Sequence, residues 1–300
     1  MSREKVLATF LHMPHTIAEQ ILEKLEPLDL MRSRKVCLGL KFAVDRIEMN
    51  FNKVVWHLYP GIVSLLFDDM RVNYHETEDG GTTVHHNGQK KRIEGEQYKE
   101  RSIKDLAVIF KHASILELYN LGDNVKLLVD ILKDSFIHVE SIKLNCITID
   151  KCLAILSRCK TKVLKNIDLF IVYRSEQFER ITHLEQWKNS RTLKCWADHV
   201  ISDPLPIEQF FHFEQFEIEE HGISIEKVIS IRDNLLKRST FRKCTITLYD
   251  SDPDEFLKVF KPEYDGGNNH RVEYLSDNNI FVISYGTTSR PWVHCCIERS

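Results

Sequence analysis

Two periodicities divide the chain. In residues 13–37 apolar positions recur at helical spacing, and from about residue 51 they alternate with polar ones, first alone and then interleaved with helical segments. In "MPHTIAEQILEKLEPLDLMRSRKVC", Thr16 followed by Glu19 has the form of a capping box ahead of Ile17, Ile21, Leu22 and Leu25, which predicts a helix starting near Thr16. Pro27, with no N–H to lose, and Asp29 suit the first turn of a second helix, and Gly39 suits its closing turn. That helix is expected from about Leu28 to Leu38. Its apolar residues point in three directions, Leu30 with Cys37, Met31 with Leu38, and Leu28 with Val36 and Leu40, which is the pattern of a buried helix. A unit of about 40 residues cannot cover that much apolar surface by itself. Something outside the unit must do so.

Alternation then takes over. "FNKVVWHLY", "IVSLLF" and "MRVNYHE" predict short strands separated by turns at Gly61, Asp68-Asp69, Gly80-Gly81 and Asn87-Gly88. The polar stretch "NGQKKRIEGEQYKERS" reads as a solvated loop. From Ile103 a repeat is expected, with strand cores at Leu116/Leu118, Ile142/Leu144, Ile167/Leu169, Leu193/Cys195, Phe216/Ile218 and Ile246/Leu248, spaced 23 to 30 residues apart. Between them lie the helical patterns "NVKLLVDILKDS", "IDKCLAILSRC", "FERITHLEQWKNS", "IEQFFHF" and "SIEKVISIRDNLLKRS". A strand-plus-helix unit of this period predicts a degenerate leucine-rich-repeat-like solenoid, whose units hide their apolar faces only by stacking. A non-repetitive α/β sheet is the alternative. After Asp250, "DPDEFLKVFKP" predicts a short helix, and "VEYL", a turn at 276–279 and "IFVISY" a β-hairpin.

Two resemblances sit on this pattern. Met13-Pro14, Ile21-Leu22-x-x-Leu25-x-Pro27-x-Asp29-Leu30, Arg34-Lys35-Val36-Cys37 and Leu40 resemble the F-box, although the family's usual leading Leu is Met13 and Leu40 stands where many members carry Trp. The resemblance implies a three-helix unit at 11–50 that docks on the Skp-type adaptor of cullin-based ubiquitin ligases, through positions among Met13, Pro14, Ile21, Leu22, Pro27, Leu30 and Val36. "LEQWKNSRTLKCW" and "IEQFFHFEQFEIEEHGISIEKVISIRDNLLKRSTFRKCTI" resemble the FTH domain, which nematode F-box proteins carry behind their F-box. The expected organisation is an F-box at 11–50, a β-rich connecting region at 51–109, the FTH domain at 110–250, and a C-terminal helix and hairpin at 251–300.

Composition narrows the classes. Of 300 residues 43% are hydrophobic and 28% charged, an ordinary globular balance, and a formal charge of −3 gives no general attraction to nucleic acid or anionic membranes. No apolar run approaches the roughly 18 residues of a membrane span, and the start "MSREKVLATFLHMPH" lacks a secretory signal, so a cytoplasmic or nuclear location is expected. The eight cysteines fall mostly inside apolar patterns, as free thiols do in a reducing compartment.

Candidate chemistry is sparse. Cys146, Cys152 and Cys159 lack a Cys-x-x-Cys or paired-histidine complement, so no metal site is expected. There is no Gly-x-Ser-x-Gly elbow, phosphate loop or dinucleotide fingerprint, and no cofactor is expected. Cys295-Cys296 reads as a strand end or loose tail. Binding without catalysis is the remaining expectation: a substrate-recruiting ligase subunit, or alternatively a scaffold whose F-box-like unit is only structural. In a leucine-rich-repeat-like stack the outward strand positions are free of core duties, here Glu117, Tyr119, Lys143, Asn145, Asp168 and Phe170. Tyr119, Lys143 and Phe170 are the candidate residues for an unidentified protein target.

Overall fold

The computed structural model describes residues 13–300 apart from 26, 35, 48–50, 110–112, 133–135, 173–177, 198–205, 250–251, 267–269, 278 and 290–291. Three short helices open it: α1 (His15–Leu22), α2 (Pro27–Ser33) and α3 (Leu38–Val44). The capping box does not form. Pro14 is the residue before α1, and no side chain caps that helix. Nor is there one helix from Leu28 to Leu38: Cys37 is extended, its Sγ accepts the Leu40 N–H at 3.5 Å, and α3 starts there with Gly39 inside it. Arg34 pairs with Asp45 across the break.

Strands β1 (Phe51–Tyr59), β2 (Ile62–Phe67), β3 (Met70–Glu76), β4 (Thr82–His86) and β5 (Gln89–Ile93) follow as an antiparallel meander. Asn87 (φ 47°) and Gly88 (φ 76°) form the left-handed two-residue turn that lets β4 fold back on β5. The supposed solvated loop is therefore corrected: Gln89–Ile93 of it form the edge strand β5, and "YKERS" begins a helix, α4 (Tyr98–Ile109). The consecutive charges Lys90, Lys91 and Arg92 of β5 belong to an exposed edge, while Tyr98, Ser102, Ile103, Leu106 and Ala107 give α4 a buried stripe at helical spacing that crosses the quoted segment boundaries.

The repeat begins after α4. Strands β6 (Ala113–Tyr119), β7 (Ser141–Ile147), β8 (Asn166–Ile171), β9 (Thr192–Ala197), β10 (Gln215–Glu220) and β11 (Lys243–Tyr249) pair in parallel, each with the next. Both positions of every expected strand core are buried. Helices α5 (Asn124–Ile131), α6 (Ile149–Leu156), α7 (Glu179–Thr182), α8 (Glu185–Asn189) and α9 (Ile225–Ser230) lie between strands. Three helical expectations come out shorter: "FERITHLEQWKNS" splits into α7 and α8, "IEQFFHF" makes only a 3-10 turn at Ile207–Phe210, and α9 passes into a π turn at Ile231–Leu235. Trp187 sits at the centre of the cluster they form, edge-on to Phe178, Phe210 and Phe213 with centroids 5.1 to 5.9 Å away. Large rings fill the space there that longer helices fill elsewhere.

After α10 (Pro253–Phe260), β12 (Arg271–Ser276) and β13 (Asn279–Ser289) make the expected hairpin. The tail is neither loose nor terminal to the sheet. "WVHCCIER" forms β14 (Trp292–Arg299), inserted antiparallel between β11 and β13. At the other end β1 pairs in parallel with β6. The result is a mixed α/β molecule with one 14-stranded sheet, ordered β12-β13-β14-β11-β10-β9-β8-β7-β6-β1-β2-β3-β4-β5, and ten α-helices among the described residues. No helix among those residues is long and apolar enough to cross a membrane.

Candidate protein-interaction surfaces

The N-terminal helices expose an unusual share of apolar surface. Of thirteen large apolar residues exposed in the described part of the chain, six fall between residues 13 and 42: Met13, Ile17, Ile21, Val36, Leu38 and Phe42. Val36 and Leu38 are each 71% exposed and Phe42 64%. The amphipathic spacing of α1 turns Ala18 and Leu22 inward, and Leu30, Met31 and Val44 join them in the chain's own core. The sequence-predicted positions therefore divide. Met13, Pro14, Ile21 and Val36 face outward, Leu22 and Leu30 are buried, and the side chain of Pro27 lies outside the described residues. Ile17, Leu38 and Phe42 were missed. Leu38 and Phe42 are four apart on α3, so they share a face, a spacing that the expectation of a single helix ending at Leu38 concealed.

The second surface is the outer face of the sheet. Strand alternation sends Leu116, Leu118, Ile142, Leu144, Ile167 and Leu169 inward, and the six expected outward residues are half-buried on the opposite face. Register aligns Glu117, Lys143, Asp168, Lys194 and Glu217 in one row across five strands, alternating in sign. Lys53 reaches Glu117 at 2.8 Å, Lys143 reaches Asp168 at 3.3 Å, and Lys194 reaches Glu217 at 3.0 Å. Exposed ion pairs contribute little to stability, roughly 0–1 kcal/mol each. Their effect here is to neutralise the row. Asp168 nevertheless has its carboxyl pKa raised, because burial outweighs the Lys143 ammonium beside it.

A row of rings runs next to the charged one. His57, Tyr119, Asn145, Phe170 and Trp196 are aligned by register near the C-terminal ends of β1 and β6–β9. His57 stacks on Tyr119 at 5.0 Å and on Tyr59 at 3.9 Å. Tyr119 donates its hydroxyl to Glu117 at 3.0 Å, and burial, reinforced by that carboxylate, pushes its pKa up to about 12. The Lys143 ammonium lies 5.8 Å from the Tyr119 ring centre. Tyr119, Lys143 and Phe170 are thus brought onto one face of three adjacent strands, and His57 and Trp196 extend it on either side.

Chemistry of other kinds finds little support in the thiols. Cys152, Cys159, Cys195, Cys244 and Cys295 are buried, and burial pushes the Cys159 thiol up to about 12, far from a reactive thiolate. Among the described residues no group of three or more potential metal ligands occurs.

Comparison with known proteins identifies the class. A family profile described as F-box domain matches residues 10–52, and one described as FTH domain matches residues 122–263. The chain is an F-box protein with a C-terminal FTH domain. F-box domains bind Skp-type adaptors in cullin-based ligases, and their bearers are in general substrate adaptors, typically without catalysis of their own. Among curated proteins it is similar to F-box A protein 224 of Caenorhabditis elegans, 22% identical over 291 residues that span 90% of this chain and 75% of that one. A solved structure, spermidine synthase from Thermotoga maritima, matches over 83% of this chain and 73% of its own at 14% identity. Its TM-score of 0.17 is too low to carry an argument.

Proposed function

We propose that this chain recruits a target protein to a cullin-based ubiquitin ligase, with the N-terminal helices docked on a Skp-type adaptor and the outer sheet face holding the target. The observation that carries the reading is the set of six exposed apolar residues on a unit that already buries Ala18, Leu22, Leu30, Met31, Val44 and Ile47. Each such side chain gains roughly 1.5–3 kcal/mol on full burial, so several together favour a permanent protein partner over water. The adaptor-facing positions are then Met13, Pro14, Ile21 and Val36 with Ile17, Leu38 and Phe42, while Leu22 and Leu30 hold the unit together from inside. The helices are read as the three-helix F-box, and the parallel run β6–β11 as a degenerate leucine-rich-repeat-like solenoid, with divisions near residues 50, 109 and 250. The chain itself breaks no bond. Tethering the target raises its effective concentration at the ligase.

Replacing Ile17 and Phe42 together with Asp is expected to abolish capture of a purified Skp-type adaptor while the circular dichroism of the full chain stays unchanged. Capture at unaltered affinity overturns the assignment. Leu22→Ala is the contrast: it should lower the unfolding temperature, because a buried Leu→Ala costs about 2–5 kcal/mol.

A further inference from the structure

The sheet ends in two unlike edges. β5 at one end exposes Lys90, Lys91 and Arg92, so antiparallel pairing with a second β5 centred on these residues sets cation against cation. β12 at the other end is different. Its register with β13 sets Arg271 opposite Ser284, hence His270 opposite Tyr285, whose N–H donates to the His270 carbonyl at 2.8 Å. Antiparallel bonding alternates, so Val272 and Tyr274 also turn their main-chain groups towards β13. The N–H and C=O groups of Arg271, Glu273 and Leu275 point away from the sheet, where no further strand follows among the described residues. A groove of about 520 Å³ lies beside this edge, lined by Phe260, Pro262, Glu263, Val272 and Tyr274, and leaves it open.

Outward residues can pair only with outward residues, so a two-fold axis relating two β12 strands must pass through a residue. Centred on Arg271 or Glu273 it sets like charge against like. Centred on Tyr274 it sets the Glu273 carboxylate against Leu275 twice. Centred on Val272 it sets Arg271 against Glu273 of the other copy, and Glu273 against its Arg271, with the outward main-chain groups of these two residues bonded on both strands. Arg271 and Glu273 are both exposed, so each is free to meet its opposite charge on the other copy. We propose that β12 is a self-association edge, through which two copies of this chain join their sheets antiparallel about an axis at Val272.

Sedimentation equilibrium of the full chain tests this, comparing it with Arg271→Glu, Glu273→Arg and the double exchange. The unaltered chain is expected at dimer mass. Each single reversal should weaken association about tenfold or more, since two attractive pairs become repulsive, and the double exchange should restore it. Association through the apolar N-terminal helices would be indifferent to these charges, so a dimer that survives both single reversals overturns the proposal. So does an unaltered chain that remains monomeric, or a double exchange that fails to restore the dimer.

Discussion

The indole N–H of Trp56 donates to Ser102 Oγ at 3.1 Å, with both residues wholly buried, and the Ser102 hydroxyl in turn donates to the Lys99 carbonyl at 2.7 Å. This contact clamps α4 onto β1, the strand through which the meander joins the parallel run. Tyr74 makes a parallel connection, donating to Asp105 at 2.9 Å, with Arg101 holding the same carboxylate at 2.7 Å. Burial, with Asp105 beside it, keeps the Tyr74 hydroxyl protonated far above the ordinary tyrosine range.

Ser102→Ala leaves the Trp56 N–H without an acceptor in a dry interior. The expected loss is about 1–3 kcal/mol of unfolding free energy, the cost of a buried unpaired donor. Trp56→Phe in the same background removes that donor, so the double variant should lose less than the sum of the singles. Urea unfolding of the three variants checks the coupling, and simple additivity would mean the hydrogen bond is not made.

The His75 and His85 rings meet across β3 and β4 with centres 4.1 Å apart and planes tilted by 35°. Burial, then the neighbouring His85 and Lys90, lowers the His75 pKa below its ordinary 6.5. The unfolded chain therefore takes up a proton around pH 6.5 that the folded chain refuses. Stability from this site is complete above that pH and declines as pH falls towards the depressed folded value. Melting temperature should drop between pH 7.5 and 5.5, and His75→Gln should flatten that part of the profile. An unchanged slope would assign the acid sensitivity to other groups.

The outer sheet face gives a separable phenotype if it holds the target. Changing Tyr119, Lys143 and Phe170 together to Ala should abolish target capture in co-purification and leave adaptor binding intact, since the triad lies on β6–β8, whereas Met31 and Arg32 of the N-terminal helices border Phe67, Val72 and Val84 of β2–β4. A target that binds the triple variant as tightly would move recognition to another part of the surface. Removing Lys143 also strips Asp168 of its ion-pair partner, so thermal stability should be followed in the same variant.

The legible parts of this chain are those in which a side chain's fate depends on its immediate neighbours. Alternation found every strand of the parallel run, because residues two apart in a strand face the same way whatever lies beyond. It missed β14 although Val293, Cys295 and Ile297 alternate with His294, Cys296 and Glu298 and are buried as that pattern requires. Read alone at the chain end, the eight residues of β14 had no partner to pair with. The F-box motif likewise marked the F-box segment but could not sort Leu22 and Leu30, inside, from Ile17 and Phe42, outside. On α1 the helical spacing makes the division, and for Phe42 it depends on where α2 stops and α3 begins, which a local cap at Cys37 decides.

By itself, then, the sequence determined the strands of the parallel run, the inward and outward residues of each, and the family, all of which follow from short-range periodicity and motif order. Only the tertiary structure decided that the meander, the parallel run and the C-terminal strands form one sheet. Main-chain hydrogen bonds between strands carry no side-chain label, so Val54 beside Leu116, or Thr245 beside Cys296, becomes visible only once the chain has closed loops of tens of residues to bring them together.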